Sequence, residues 1–156
     1  MLIGAHLSVA DGYERTVEYA CDVGAECMQV FAKSPRQWRG RPLDPTRAQE
    51  FARLRFDRGL GPLFTHTAYL INLSTDDDAL RARSVEALAD ELARGGLLEA
   101  AGVVTHVGND PAADSRQAAL RTARAIEEAF ALAGGTDCTT RLLLEACQGQ
   151  RASLEA

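Results

Sequence analysis

The sequence predicts an α/β fold, with parallel strands in a sheet and helices packed outside it. Three observations lead there. Five short apolar runs alternate with four stretches of helical spacing. Each strand–helix unit takes about 30–40 residues, long enough for a crossover between parallel strands. The runs are short and nearly continuous in apolar residues, which fits a sheet buried on both faces. Right-handed crossovers then allow two architectures, an open doubly wound sheet or a closed (β/α)8 barrel.

The elements follow in order. MLIGAHLS is the first strand. From Asp11 to Val23, Tyr13, Val17 and Ala20/Cys21 fall on one helical face, and Gly24 is a natural stop. CMQVFAK is the second strand, followed by the loop KSPRQWRGRPLDP. TRAQEFARLRFDRGL is helical and ends at Gly59 and Gly61. PLFTH is the third strand. STDDDALRARSVEALADELARGG is the third helix, with Ser74 or Thr75 expected as its cap and aspartates in its first turn. AGVVTHVG, then DSRQAALRTARAIEEAFALAGG, then RLLLEA supply the fourth strand, fourth helix and fifth strand. No glycine-rich dinucleotide loop follows the first strand, because GAHLSVADG has the wrong glycine spacing.

Composition bounds the function classes. At 46% hydrophobic and 25% charged, the chain is globular rather than disordered. Its net charge of −5 provides no global field to draw in nucleic acid, so any such role needs a local basic surface. Cys21, Cys27, Cys138 and Cys147 form no CxxC pair and no secretory leader is visible, so they read as reduced thiols of a cytoplasmic protein. No run approaches membrane-spanning length, so no membrane partner is expected. Of seventeen basic residues only Lys33 is a lysine, which reads as coding bias.

Chemistry gathers at the strand ends. The first strand ends in His6, the third in His66, the fourth in His106 and the fifth in Glu145. In parallel α/β folds the C-terminal strand ends form the face where sites assemble. A histidine closing an apolar run, as in FTHTAYLINL, needs a partner for both ring nitrogens. Two imidazoles and a carboxylate can hold Zn2+ with a position left for water or substrate, and Mn2+ or Fe2+ use similar ligands. The ordinary alternative for each histidine is a backbone carbonyl partner. His6 reads as pocket-lining or as a group behind the ligands. The loop KSPRQWRGR places four cations and a tryptophan on the same face, a composition suited to phosphate contact with stacking or insertion. Its bland alternative is a solvated loop with Trp38 packed on the domain. Tyr69, three residues after His66, either reaches over the same mouth or packs on the next helix.

GAHLS, MQVFAKSPRQWRG, HTAYLINL, VVTHVG and LLLEACQGQ, in that order, resemble the successive strand-end motifs of the endonuclease IV family, the zinc-dependent apurinic/apyrimidinic endonucleases of base excision repair. The family motifs run approximately GAHxS, QxFxKNxRQW, HxxYLxNL, HPGS and ENTAGQG. The resemblance implies a TIM (β/α)8-type barrel holding three zinc ions. By position it implies that His66, His106 and Glu145 are zinc ligands and that Glu145 is also catalytic, as a bridge between metals. It implies that Arg36 and Tyr69 enter duplex DNA at abasic sites, with Trp38 and Arg39 beside them. The implied reaction is hydrolysis 5′ to the abasic sugar, by metal activation of water and clamping of the attacking and leaving oxygens.

The sequence also departs from the pattern. HPGS reads HVGN here, with Val107 and Asn109, and ENTAGQG reads EACQGQ, one residue shorter. The later ligands of the family have no counterpart before residue 156. The expectation is therefore a single partial barrel domain, 1–156, truncated after about five β/α units, inactive or nearly so in isolation and able to self-associate through exposed sheet edges. Two rival functions remain: a xylose isomerase-like sugar or sugar-phosphate isomerase or epimerase, and a non-catalytic half-barrel that binds metal or a second polypeptide.

Overall fold

The computed structural model describes residues 1–110 and 114–146. Strands β1 (Gly4–Leu7), β2 (Cys27–Phe31), β3 (Leu63–His66), β4 (Gly102–His106) and β5 (Leu142–Glu145) alternate with helices α1 (Tyr13–Asp22), α2 (Pro45–Asp57), α3 (Asp78–Leu97) and α4 (Ser115–Leu132). A 3-10 turn, Gly135–Asp137, precedes β5. The five strands form one parallel sheet in the order β1-β2-β3-β4-β5. A doubly wound sheet reverses its order at a switch point, whereas a barrel adds each strand beside the last. The unbroken order is therefore barrel-type. Within the described sheet, β1 and β5 each pair with a single neighbour.

Local chemistry sets the helix ends. Asp44 caps α2 by accepting from Thr46 N at 2.9 Å, with Pro45 beside it in the first turn. Asp114 caps α4 through Gln117 N at 2.8 Å. Gly24 and Gly59 follow α1 and α2 with φ of 70° and 67°, the left-handed turn that ends a helix. The third helix differs from expectation at its start. Its cap is Asp77, which accepts from Leu80 N at 2.9 Å, while the Thr75 hydroxyl accepts from Asp77 N and shapes the turn before it. Ser74 bonds to Asn72 instead. At the other end, Gly95 and Gly96 lie inside α3, which runs to Leu97. A Cβ on Gly95 would sit 2.6 Å from Val103 Cγ2, so the glycine lets α3 lie close on β4.

Side-chain parity explains the two faces of the sheet. Residues paired in parallel register share a face, and the face alternates along each strand. Leu7, Val30, Thr65 and Val103 form one paired row. That face lies under the helices, and all four residues are buried. Leu7, Met28, Val30 and Leu63 pack with Val17, Ala20, Ala48 and Phe51, while Val103 packs with Leu88, Leu92, Ala125 and Ala129. The opposite face carries His6, Gln29, Phe31, His66, Val104, His106, Leu143 and Glu145. It is less covered than burial on both faces would require: Phe31 and Val104 are half-buried and Leu143 is 39% exposed.

Gly95→Ala tests the helix–sheet contact. Alanine gains about 1 kcal/mol of helix propensity. Overpacking against Val103, fully buried and stiff at χ1, costs about 1–3 kcal/mol. We expect a net loss on the order of 1 kcal/mol, read as a lower urea midpoint at unchanged m-value.

Candidate metal site and its rim

The strand register brings three of the polar strand-end groups together. His106 pairs with Glu145 across β4 and β5, and His66 lies two positions lower on β3. The offset follows the stagger of tilted strands and keeps all three side chains on the inner face. One donor atom from each of His66, His106 and Glu145 lies within 4.8 Å of the other two. Two ligands of one tetrahedral Zn2+ ion lie about 3.4 Å apart. Glu145 Oε2 is already 3.2 Å from His66 Nε2, and its exposed side chain has room to adjust.

The hydrogen bonds of His66 supply a test of whether a cation fits. Its Nδ1 lies 2.8 Å from the carbonyl of Thr67. A carbonyl only accepts, so Nδ1 carries a proton. Yet Nε2 stands 3.2 Å from Glu145 Oε2. Two acceptors at that distance require a proton or a metal cation between them. The donor set, and the orientation of His66 by a backbone carbonyl, therefore fit a divalent ion. These side chains could hold one; their chemistry alone does not choose among Zn2+, Mn2+ and Fe2+.

Aromatic rings surround the donors. The His66 ring centroid lies 5.1 Å from His106, 5.4 Å from Phe31, 5.6 Å from Tyr69 and 6.0 Å from His6. His6 stands apart from the three donors: Gln29 Nε2 is 3.0 Å from its Nδ1, and its ring packs on Phe31 at 4.5 Å. Desolvation lowers the pKa of His6, the charge of His66 lowers it further, and Glu145 acts in the opposite direction.

The rim is built from two loops. Ser34–Gln37 forms a tight turn, with Gln37 N donating to Ser34 O, which puts Arg36 at its tip. Tyr69 N donates to Pro35 O at 3.1 Å, so the backbone joins Arg36 and Tyr69 as neighbours. Both are exposed, Tyr69 at 60%. Arg39 is exposed too, 4.0 Å from Glu86. Trp38 is half-buried against the core under α3, and Arg83 lies 4.4 Å over its ring. A side chain packed in this way cannot insert elsewhere without leaving Arg83. Of the two departures after β4, Val107 is buried, and Asn109 exchanges hydrogen bonds with Asn72, tying the loop after β4 to the loop after β3. The shortened loop after Glu145 lies outside the described residues from Cys147 onward.

Some residues escaped the sequence reading. Lys33 is buried among Asp90, Glu91 and the Trp38 carbonyl. Two signals pointed to this: Lys33 is the lone lysine, and Glu91 stands at helical spacing from the apolar Leu88 on the inward face of α3.

With this geometry in view, comparison with known proteins is informative. The family model described as xylose isomerase-like TIM barrel matches residues 17–155. The chain belongs to that family. Probable endonuclease 4 of Methanoculleus marisnigri is 37% identical over 154 residues, covering 99% of this chain and 54% of the relative. Probable endonuclease 4 of Chloroflexus aurantiacus is 37% identical over 151 residues, covering 97% of this chain and 52% of the relative. Endonuclease IV from Thermus thermophilus superposes with a TM-score of 0.78 at 35% identity, over 92% of this chain and 51% of that one. A D-psicose 3-epimerase superposes at 0.67 with 16% identity, over 94% and 52%, and shares the fold. The resemblance to endonuclease IV read from the strand-end motifs therefore holds. The chain spans about half the length of the curated relatives it matches. Among the described residues, no helix is long and apolar enough to cross a membrane.

Removing a donor tests the site. His66→Ala and His106→Ala should each weaken Zn2+ binding by at least about 100-fold, and His6→Ala by less than about tenfold, in competition with a chromophoric chelator. Unchanged affinity in both donor variants would remove them as ligands.

Proposed function

We propose that this chain carries part of the active site of a metal-dependent phosphodiesterase that cleaves DNA 5′ to abasic sites. The observation that carries this reading is the convergence of His66, His106 and Glu145 within 4.8 Å on one sheet face. A bound divalent cation, taken here as Zn2+, supplies Lewis-acid stabilisation of phosphoryl charge and makes water a better nucleophile at neutral pH. His66 contributes an oriented Nε2, because its Nδ1 proton is committed to the Thr67 carbonyl. Glu145 would contribute an exposed carboxylate to hold the ion. Arg36 and Arg39 would give phosphates a cationic landing surface beside the site, and the exposed Tyr69 ring would be available to stack where a base is missing. Similarity to proteins named endonuclease 4 at 37% identity supports this reading.

The sugar isomerase reading has less behind it. A small sugar needs an enclosed pocket, and exposed arginines on an outer loop do not serve one. The low identity to the epimerase bears on the fold alone.

The salt dependence of binding tests the DNA reading. The chain should bind a duplex bearing an abasic analogue more tightly than the intact duplex. Arg36→Ala should weaken that binding and reduce the slope of log K against log salt by about 0.9, one phosphate contact. Equal affinity for both duplexes, or an unaltered slope, counts against it.

A further inference from the structure

The loop that carries Arg36 holds four cations, and one of them faces inward. The Lys33 side chain is 2% exposed. Its ammonium donates to Asp90 Oδ2 at 2.6 Å and to the Trp38 carbonyl at 3.2 Å, and lies 3.5 Å from Glu91 Oε1. The same Glu91 oxygen accepts from Ala68 N at 3.2 Å, in the loop that carries Tyr69. Arg94, also buried, completes the cluster: its Nε meets both Asp90 oxygens at 3.0 Å and its Nη2 donates to the Arg41 carbonyl at 2.8 Å. Thus one point on α3 holds the loop from residue 32 to 44 at Trp38 and Arg41, and the loop after β3 at Ala68.

We propose that Lys33 is a positioning residue, the buried pin that sets the loops carrying Arg36 and Tyr69 against each other at the rim. The inference rests on the reading of that rim as a DNA-binding surface, and it adds what holds the rim in place.

Three further observations agree. A lysine appears once among seventeen basic residues, at a position where three oxygen acceptors crowd one nitrogen. An ammonium offers three donors from one compact atom, which a planar guanidinium cannot reproduce there. The loop also closes tightly on the pin: a Cβ on Gly40 would lie 2.8 Å from Lys33 Cβ and 3.1 Å from Arg94 Nη2. Finally, the carboxylates respond to the cation. For Asp90, burial raises the pKa, but hydrogen bonds from Lys33 and Arg94 outweigh it and hold the group below its ordinary value. Burial raises that of Glu91, with Lys33 opposing, and Glu91 Oε2 finds no partner among the described residues. Buried ion pairs are weak sources of stability but can specify one arrangement over its alternatives.

Trp38 is the sole tryptophan and sits on this loop, so its fluorescence reports the pin directly. Lys33→Arg keeps the charge but not the fit. Gly40→Ala adds one methyl against the stem. Both should raise acrylamide quenching of Trp38 by about twofold or more, at unchanged far-UV circular dichroism. Both should weaken binding to the abasic-analogue duplex by about tenfold, with Zn2+ affinity held within about twofold, a split that general unfolding would not produce. In the unmodified chain Lys33 should resist an amine-reactive label, read by mass spectrometry, and in Asp90→Asn it should become reactive. If Lys33→Arg does not fold, Gly40→Ala and Asp90→Asn carry the same readouts. Unchanged Trp38 quenching in the folded variants, or free labelling of Lys33 in the unmodified chain, overturns the proposal. Absence of any duplex binding by the unmodified chain would sink the DNA reading instead, and the quenching and labelling results would still decide the pin.

Discussion

Everything at the site depends on strand parity in a parallel sheet. Helices claim one face of every strand for burial, since each fully buried aliphatic side chain there is worth about 1.5–3 kcal/mol. The row Leu7, Val30, Thr65 and Val103 obeys that demand. Once it is satisfied, the alternate residues have no choice of direction. His6, His66, His106 and Glu145 must all turn to the other face, whatever their chemistry. A single-residue slip of β4 against β3 would send His106 under α3 and α4, where an imidazole has no place. The apolar core thus fixes which side the donors occupy.

Parity brings the donors together; a hydrogen bond then selects how they present themselves. His66 is buried, and both of its ring nitrogens face oxygen acceptors. The Thr67 carbonyl holds one proton on Nδ1. Nε2 faces the Glu145 carboxylate, so either a second ring proton or a divalent cation would bridge them. A cation there would be held by both groups. The histidine that closes the third apolar run therefore has one partner in the backbone and shares the other with Glu145.

The order and number of the elements were legible because hydrophobic runs and helix stops are local signals. The convergence of His66, His106 and Glu145 was legible because each closes an apolar run, and a parallel fold collects such ends. Three things were not legible in the local pattern. The choice between barrel and doubly wound sheet was not in the strand pattern, since no single strand encodes the spatial order; the resemblance of the strand-end motifs supplied it. The start of α3 was ambiguous because four neighbouring residues can cap, and Asp77 rather than Ser74 or Thr75 meets Leu80 N; the approach of Gly95 to Val103 needed the tertiary structure. The role of Lys33 depended on acceptors more than fifty residues away in α3. Composition could show that the lysine was alone, but not that it was buried.

That burial changes the charge argument for the rim. Four cations in nine residues read as a strongly basic loop within a chain of net charge −5. Once Lys33 is neutralised by Asp90 and Glu91, it contributes nothing outward. Arg39 is partly offset by Glu86 at the weak separation of 4.0 Å between two exposed groups. The surface the loop offers to a polyanion is therefore carried by three exposed arginines, Arg36, Arg39 and Arg41, with Arg36 at the tip of its turn. Screening over about 8–10 Å at ordinary ionic strength limits the reach of the acidic remainder of the chain. A small cationic surface beside three converging donors discriminates by position rather than by field. Its precision is only as good as the fixing of the loop, which is where the buried ammonium and the close approach of Gly40 enter.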